Sequence, residues 1–278
     1  MKLIDFDGMF DEKLAQYMQE NKGKYTEKQW EDVISKLYKK FGDTYVAKVK
    51  CTPKQYYAKM TDEQLVETLR SHLQSDVPTP EFLCAEVENR DMVPALCPML
   101  LDKDVQLVTY ALNLIGDDER AYDTYFTILE ENLADENVQG DLVEVFKFHA
   151  DKVKERVFAN YKKGVAKEYM LEILSRVKER DDEIFNALLS AFASKQNVPM
   201  HASYLAAYGD ERALPSLLQA IEDKSIGFVE FQELKYAIDA LGGVYTQVRD
   251  FSADKDFLAV EAAFSKNVKL EENGEYRS

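Results

Sequence analysis

The sequence has few cysteines and no long apolar run. Its three cysteines, Cys51, Cys84 and Cys97, form no CxxC pair and are odd in number, which is typical of free thiols in a reducing compartment. No apolar stretch approaches the ~20 residues that a membrane-spanning helix needs. The first residues become acidic at once and lack a small-residue cleavage site, unlike a secretory signal. We therefore expect a cytoplasmic protein that does not bind membranes.

Basic residues are also scarce, and the imbalance is uneven along the chain. The 278 residues include 35 Lys and Arg against 51 Asp and Glu, for a net charge of −16. Residues 1–90 carry 14 basic and 16 acidic residues, whereas residues 91–278 carry 21 and 35. Such a body repels a phosphate backbone, so we expect no binding to nucleic acid. It favours a partner with a basic surface, although the acidity can also serve solubility alone.

Residues with a recognisable chemical role are sparse. The three histidines, His72, His149 and His201, lie far apart without Cys or His at ligand spacing. Residues 223–233 imitate the end of a calcium-binding loop but are one residue short of twelve, and the loop that starts at Asp135 has Phe146 at its twelfth position. Nucleophile motifs and phosphate-binding glycine loops are missing. We predict no catalytic residue, no metal and no cofactor.

Helical signals run through the first third of the chain. Thr26–Gln29 and Thr61–Gln64 are capping boxes that predict helix starts, and Pro53 suits the first turn of a helix. The weakly alternating residues 43–52 are expected to form a loop or helix rather than a strand, because a lone strand has no partner. Trp30 has apolar residues at helical spacing, so we expect it in the core first and as a binding anchor second.

The most informative stretch is Gly209–Ile221, which continues to Gly243. Asp210 predicts an N-cap, apolar residues follow at helical spacing, and a second apolar helix ends at two glycines. The opening Gly-Asp-Glu-Arg-Ala is matched by Gly-Asp-Asp-Glu-Arg-Ala at residues 116–121. Five predicted helix starts are separated by 27, 33, 30 and 29 residues, at Asp91, Asp118, Asp151, Asp181 and Asp210. This spacing is typical of stacked helix pairs.

This pattern, clearest at residues 208–243, resembles HEAT repeats of the short type found in phycobilisome lyases and many bacterial proteins. The resemblance implies an all-α protein, an armadillo-like α-solenoid of about five helix pairs that follows an N-terminal helical region. We expect three parts: residues 1–90, the repeats at 91–243, and a capping helix with a polar tail at 244–278. The predicted pairs are 91–101 with 104–115, 118–133 with 138–149, 151–163 with 166–178, 181–194 with 198–208, and 211–222 with 228–241. Aligning them places His201 on the apolar face, so we expect it to be buried and hydrogen-bonded.

The same alignment puts one stripe of residues on the second helices, which line the concave surface in HEAT-like proteins. The stripe comprises Tyr110, Asn113, Glu144, Lys147, Glu172, Arg176, Ser203, Tyr236 and Asp239. The leading hypothesis is a non-enzymatic scaffold or adaptor that binds a protein or peptide in this groove. An ordinary solvated face is an equally good interpretation of each residue alone, and the tyrosines are the better candidates.

Two other classes of function stay open. One is an enzyme on a HEAT-like scaffold, either bilin-lyase-like or DNA-glycosylase-like, of which the second is disfavoured by the acidic repeats. The other is a structural or regulatory subunit of a larger complex, with the N-terminal region as its docking part.

Overall fold

The computed structural model describes residues 3–272, with side chains as far as residue 263, and is all-helical in that range. It contains α1 (Phe6–Glu20), α2 (Glu27–Gly42), α3 (Pro53–Ala58), α4 (Asp62–Leu73), α5 (Glu81–Asn89), α6 (Val93–Leu96), α7 (Val105–Ile115), α8 (Tyr122–Glu131), α9 (Glu136–Phe148), α10 (Ala150–Lys163), α11 (Lys167–Leu174), α12 (Asp182–Ala193), α13 (Val198–Tyr208), α14 (Leu214–Ile221), α15 (Phe228–Ala240) and α16 (Lys255–Glu272). Short 3₁₀ turns occupy Cys97–Leu101, Glu119–Ala121 and Glu211–Ala213. The polar tail beyond residue 272 lies outside the described residues.

The predicted helix starts are confirmed where a side chain can cap them. Thr26 and Thr61 each accept a hydrogen bond from the backbone N–H three residues on, and the glutamine side-chain oxygen there accepts one from the threonine N–H. Thr52 forms a third such box at the start of α3, directly before Pro53. Residues 43–52 form turns with an isolated bridge between Val46 and Cys51, so the expectation of a loop holds.

Two local predictions are wrong. Asp151 does not cap α10, because it lies within the first turn of that helix; its carboxylate instead accepts the backbone N–H groups of Lys178 and Glu179. Asp91 does not cap a helix either, because α6 begins at Val93 and has no side-chain cap. Residues 81–89, for which no helix is predicted, form α5, whose Phe82 and Leu83 are buried.

The described residues divide into two compact units, one up to Gln139 and one from Gly140 onward. This division falls within α9, and the predicted boundaries at 90/91 and 243/244 stay predictions. In the first unit, α4 packs against α5, α6 and α7, and α3 packs against α5. In the second unit, α10 packs on α11, α12 on α13, and α14 on α15, while α13 also contacts both α11 and α15. Each helix thus packs against elements that are close to it in the sequence.

The core is apolar, as the helical periodicity requires. Leu65 and Leu69 of α4 are fully buried in the first unit, and Leu234 and Ile238 of α15 are fully buried in the second. Trp30, expected in the core, is half-buried: its ring contacts Tyr17 and Tyr25, which are themselves only partly covered. Within the described residues, no helix is long and apolar enough to cross a membrane.

Candidate functional site

The nine residues of the predicted stripe are shared between the two units. Tyr110 and Asn113 lie on α7 in the first unit. The other seven lie in the second unit, on or directly after α9, α11, α13 and α15. The second unit therefore holds the larger part of the candidate site.

Four residues of the stripe line one cavity in the second unit. Glu172, Arg176, Ser203 and Tyr236 surround a space of about 220 Å³. The remaining lining residues are mostly small, and they are Ser175, Tyr204, Ala206, Ala207 and Ala240. Because alanine and serine side chains are short, α13 leaves room at this position while it packs between α11 and α15.

The local sequence of α13 and α15 explains why these side chains face the cavity. Residues three and four apart lie on the same side of a helix, and Ser203, Ala206 and Ala207 follow this spacing. On α15, Leu234 and Ile238 are fully buried, so Tyr236 between them must face away from the core. Its side chain is 64% exposed, which confirms the register predicted for α15.

A partly buried lysine pairs with Glu172, the carboxylate that lines the cavity. The Lys147 ammonium lies 2.6 Å from Glu144 Oε1 and 2.9 Å from Glu172 Oε1, and its side chain is only 14% exposed. Partial burial opposes the charge on Lys147, but the two carboxylates outweigh it and raise the pKa of the ammonium group. Three residues of the predicted stripe are thereby fixed as one ion-pair network.

Arg176 differs from Lys147 in being exposed and unpaired. Its guanidinium has neither a hydrogen bond nor an ion pair with any residue in the described part of the chain. It follows directly after the Ser175 cap of α11, whose hydroxyl donates to the Glu172 carbonyl oxygen. The cavity thus combines a paired carboxylate, a free guanidinium and an exposed tyrosine.

His201 of α13 is buried and hydrogen-bonded, as predicted. It is 2% exposed, and its Nε2 lies 3.0 Å from Glu168 Oε2 on α11. Its Nδ1 is also buried and has no hydrogen-bond partner. The histidine therefore links the two helices beneath the candidate surface.

Tyr110 is a weaker candidate than the alignment suggested. It is half-buried, and its hydroxyl lies 3.0 Å from Cys84 Sγ on α5. Burial raises the pKa of both the phenol and the thiol. Because Tyr110 contributes to packing within its own unit, replacing it would change stability as well as any binding. Asn113 on the same helix is exposed.

The alanines that make room for the cavity were not predicted from the sequence. Ala207 and Ala240 stand two residues before Gly209 and Gly242, at the same position in two successive second helices. That shared offset was visible in the sequence. Apolar periodicity does not distinguish alanines that pack in the core from alanines that border a cavity.

The loops that imitate calcium sites serve as turns and caps. Asp135 Oδ1 accepts the backbone N–H groups of Asn137 and Val138 at the start of α9. Asp223 Oδ1 accepts from the backbone N–H and hydroxyl of Ser225, and these bonds lower the pKa of Asp223 to about 2. Both aspartates thus stabilise the local backbone by accepting hydrogen bonds from neighbouring residues.

Two larger cavities each border several charges that are already paired. In the first unit, a space of about 630 Å³ borders Asp62, Asp91 and Arg70. These pair with Arg90, Arg120 and Asp102, respectively. In the second unit, a space of about 720 Å³ borders Lys195 and Asp223, which face each other at 3.5 Å. Four further carboxylates line these spaces, Glu63 and Glu67 in the first and Glu222 and Glu230 in the second, so both are acidic, unlike the surroundings of Arg176.

Comparisons with known protein families and with curated proteins find no match. The geometry described above therefore carries the functional argument.

Proposed function

We propose that the chain is a HEAT-like α-solenoid that serves as a scaffold or adaptor and binds a protein or peptide. The binding surface is the face formed by α11, α13 and α15. The observation that carries the proposal is the cavity on this face, with Tyr236 exposed at its edge.

The two Gly-Asp-Glu-Arg-Ala copies support the repeat interpretation. Asp118 and Asp210 each cap a 3₁₀ turn, and the arginine two residues later bonds back to the capping carboxylate. Arg120 also bonds Asp91, and Arg212 bonds Asp182, which lie 29 and 30 residues earlier. The motif thus ties each turn to the preceding helix pair in the same way.

Other arginines make contacts of similar sequence separation. Arg180 donates to the carbonyl oxygens of Tyr208 and Gly209, 28 and 29 residues later. Arg249 donates to those of Ile221 and Asp223, 28 and 26 residues earlier. Contacts between residues about 30 positions apart are expected of a stacked array of repeats, because each repeat touches only its neighbours.

The size of the cavity favours a protein partner over a small molecule. Pockets for small ligands usually enclose roughly 300–1,000 Å³, and this one encloses about 220 Å³. Interfaces concentrate their binding energy in a few anchors that enter pockets, often beside tyrosine or arginine. A cavity that fits one side chain, bordered by Tyr236 and Arg176, matches that pattern.

The charge of the chain sets the general nature of the partner. A net charge of −16 attracts a basic surface at long range and raises the association rate. Added salt screens this attraction. The proposed partner is therefore a protein or peptide with a basic surface, and the alternatives of an enzyme or a subunit of a larger complex stay predictions.

Site-specific cross-linking tests the proposal. Tyr236 is replaced by the photoreactive p-benzoylphenylalanine, and the variant is irradiated in a lysate of the cells from which the chain comes. The matched control carries the same residue in place of the exposed Asn186 on α12. We expect one protein adduct from position 236 and none from position 186. Equal adducts at both positions, or an adduct at 186 alone, would refute binding at the proposed face.

A further inference from the structure

Arg176 is the one strong recognition group at this cavity that is not already engaged. The guanidinium is permanently charged and presents its N–H donors in a planar fork that matches a carboxylate. Ser175 and Ser203 direct their hydroxyls at backbone carbonyl oxygens of their own helices, Glu172 and Met200. Neither hydroxyl therefore competes as a donor, and Arg176 dominates what the cavity can recognise.

Lys147 decides whether Arg176 stays free. Glu172 stands four residues before Arg176, a spacing at which a glutamate and an arginine readily pair. In the structure, Glu172 is instead bound by the largely buried Lys147, at 2.9 Å. The lysine thus engages the carboxylate that stands four residues before Arg176.

We propose that the cavity receives a carboxylate side chain, an aspartate or glutamate, of the partner polypeptide. Arg176 binds this carboxylate, the alanines of α13 and α15 make room for its stem, and Tyr236 packs beside it. Lys147 keeps Arg176 available by holding Glu172. This inference rests on the proposed binding function and specifies the anchor within the otherwise basic partner.

The anchor is compatible with the overall acidity of the chain. Charges separated by more than about 8 Å are largely screened at physiological ionic strength. The contact inside the cavity therefore depends on the groups that line it, whereas the net charge of the chain acts on the association rate. Of these lining groups, Glu172 is paired with Lys147, and the Arg176 guanidinium has no partner in the described part of the chain.

A displayed library of random nine-residue peptides provides the probe. It is selected against the wild-type protein, against Tyr236→Ala and against Arg176→Gln. We expect peptides that require Tyr236 and carry an acidic residue at one fixed position, and we expect that acidic preference to vanish with Arg176→Gln. Tyr236-dependent peptides without a fixed acidic residue would overturn the inference and leave the proposed function standing. Failure to select any Tyr236-dependent peptide would overturn both.

Calorimetry on a selected peptide measures the anchor directly. Arg176→Gln should weaken binding roughly 10- to 100-fold, because a hydrogen-bonded charge loses its partner. The melting temperature of the Arg176→Gln variant should equal that of the wild type, since the Arg176 side chain is exposed and unpaired. Lys178→Gln, an exposed cation two residues away that does not line the cavity, is the matched control and should bind like wild type. Equal losses in both variants would overturn a specific role for Arg176.

A second pair of variants tests the role of Lys147. Lys147→Met should weaken binding, because the released Glu172 pairs with Arg176. Adding Glu172→Gln to Lys147→Met should restore most of the affinity. Wild-type affinity in Lys147→Met, or no recovery in the double variant, would overturn the proposed control of Arg176 by Lys147.

Discussion

At the scale of single residues, the Gly-Asp-Glu-Arg-Ala motif works through one arginine. Arg212 joins Asp210, Asp182 and the ring of Phe185, whose centroid lies 4.3 Å from the guanidinium carbon. The sequence predicted Asp210 as a cap but not its arginine's second bond, because Asp182 comes close to Arg212 only in the folded structure. Long-range contacts of this kind depend on tertiary packing and cannot be deduced from local spacing.

The capping carboxylates predict a dependence of stability on pH. Hydrogen bonds from the side chain and backbone of Arg120 lower the pKa of Asp118 from 3.8 to about 2. A lowered pKa in the folded state contributes stability that is fully present above pH 3.8 and is lost as the pH falls towards 2. The stability advantage of the wild type over Asp118→Asn should therefore shrink as the pH falls through that range.

Urea denaturation at about pH 6, 4 and 3 measures this advantage. Asp239→Asn serves as the control, since it removes an exposed carboxylate with no partner among the described residues. A constant difference between the wild type and Asp118→Asn at every pH would show that the Arg120–Asp118 bond does not stabilise the fold.

At the scale of helices, local signals determined what could be predicted. Helices with a capping box or a strong apolar period were placed within a few residues of their observed bounds. The helix α5 was missed because it is short, has no side-chain cap and follows Pro80 directly. Phe82 and Leu83 of α5 are buried, and this tertiary packing stabilises a helix that local sequence signals do not predict.

The capping box of α4 offers a test at this scale. Thr61→Ala removes the acceptor for the Gln64 N–H and should lower the free energy of unfolding by about 0.5–2 kcal/mol. Glu67→Ala, at an exposed position in the middle of the same helix, is the control and should change stability by less than about 0.5 kcal/mol. Equal effects in urea denaturation would show that the box adds nothing to α4.

At the scale of the molecule, the all-α class follows from the sequence, whereas the stacking of the pairs stays a proposal. The apolar period fixed which faces are buried, including Leu234 and His201. It could not fix the cavity, because Ala207 and Ala240 look like ordinary packing alanines until α13 is seen between α11 and α15. A stacked array also makes a prediction about how the molecule unfolds.

Destabilisation should stay local in such an array. Leu234→Ala removes a fully buried side chain and should cost about 2–5 kcal/mol. Amide exchange should then accelerate in α15 and in α13 and α14, both of which contact α15, and stay unchanged in α4 and α5. Leu218→Ala, at a position 36% exposed, is the control. Uniform acceleration along the whole chain would contradict the stacked arrangement.

The proposed binding face is tested most directly by the affinity of the cross-linked partner for Tyr236→Ala. Tyr45, in the other unit, is the same residue type with the same exposure of 64%, so Tyr45→Ala is a matched control. We predict that Tyr236→Ala weakens binding by at least about tenfold, that Tyr45→Ala does not, and that both melt like wild type. Wild-type affinity in Tyr236→Ala, or the same loss in both variants, would contradict binding at the face formed by α11, α13 and α15.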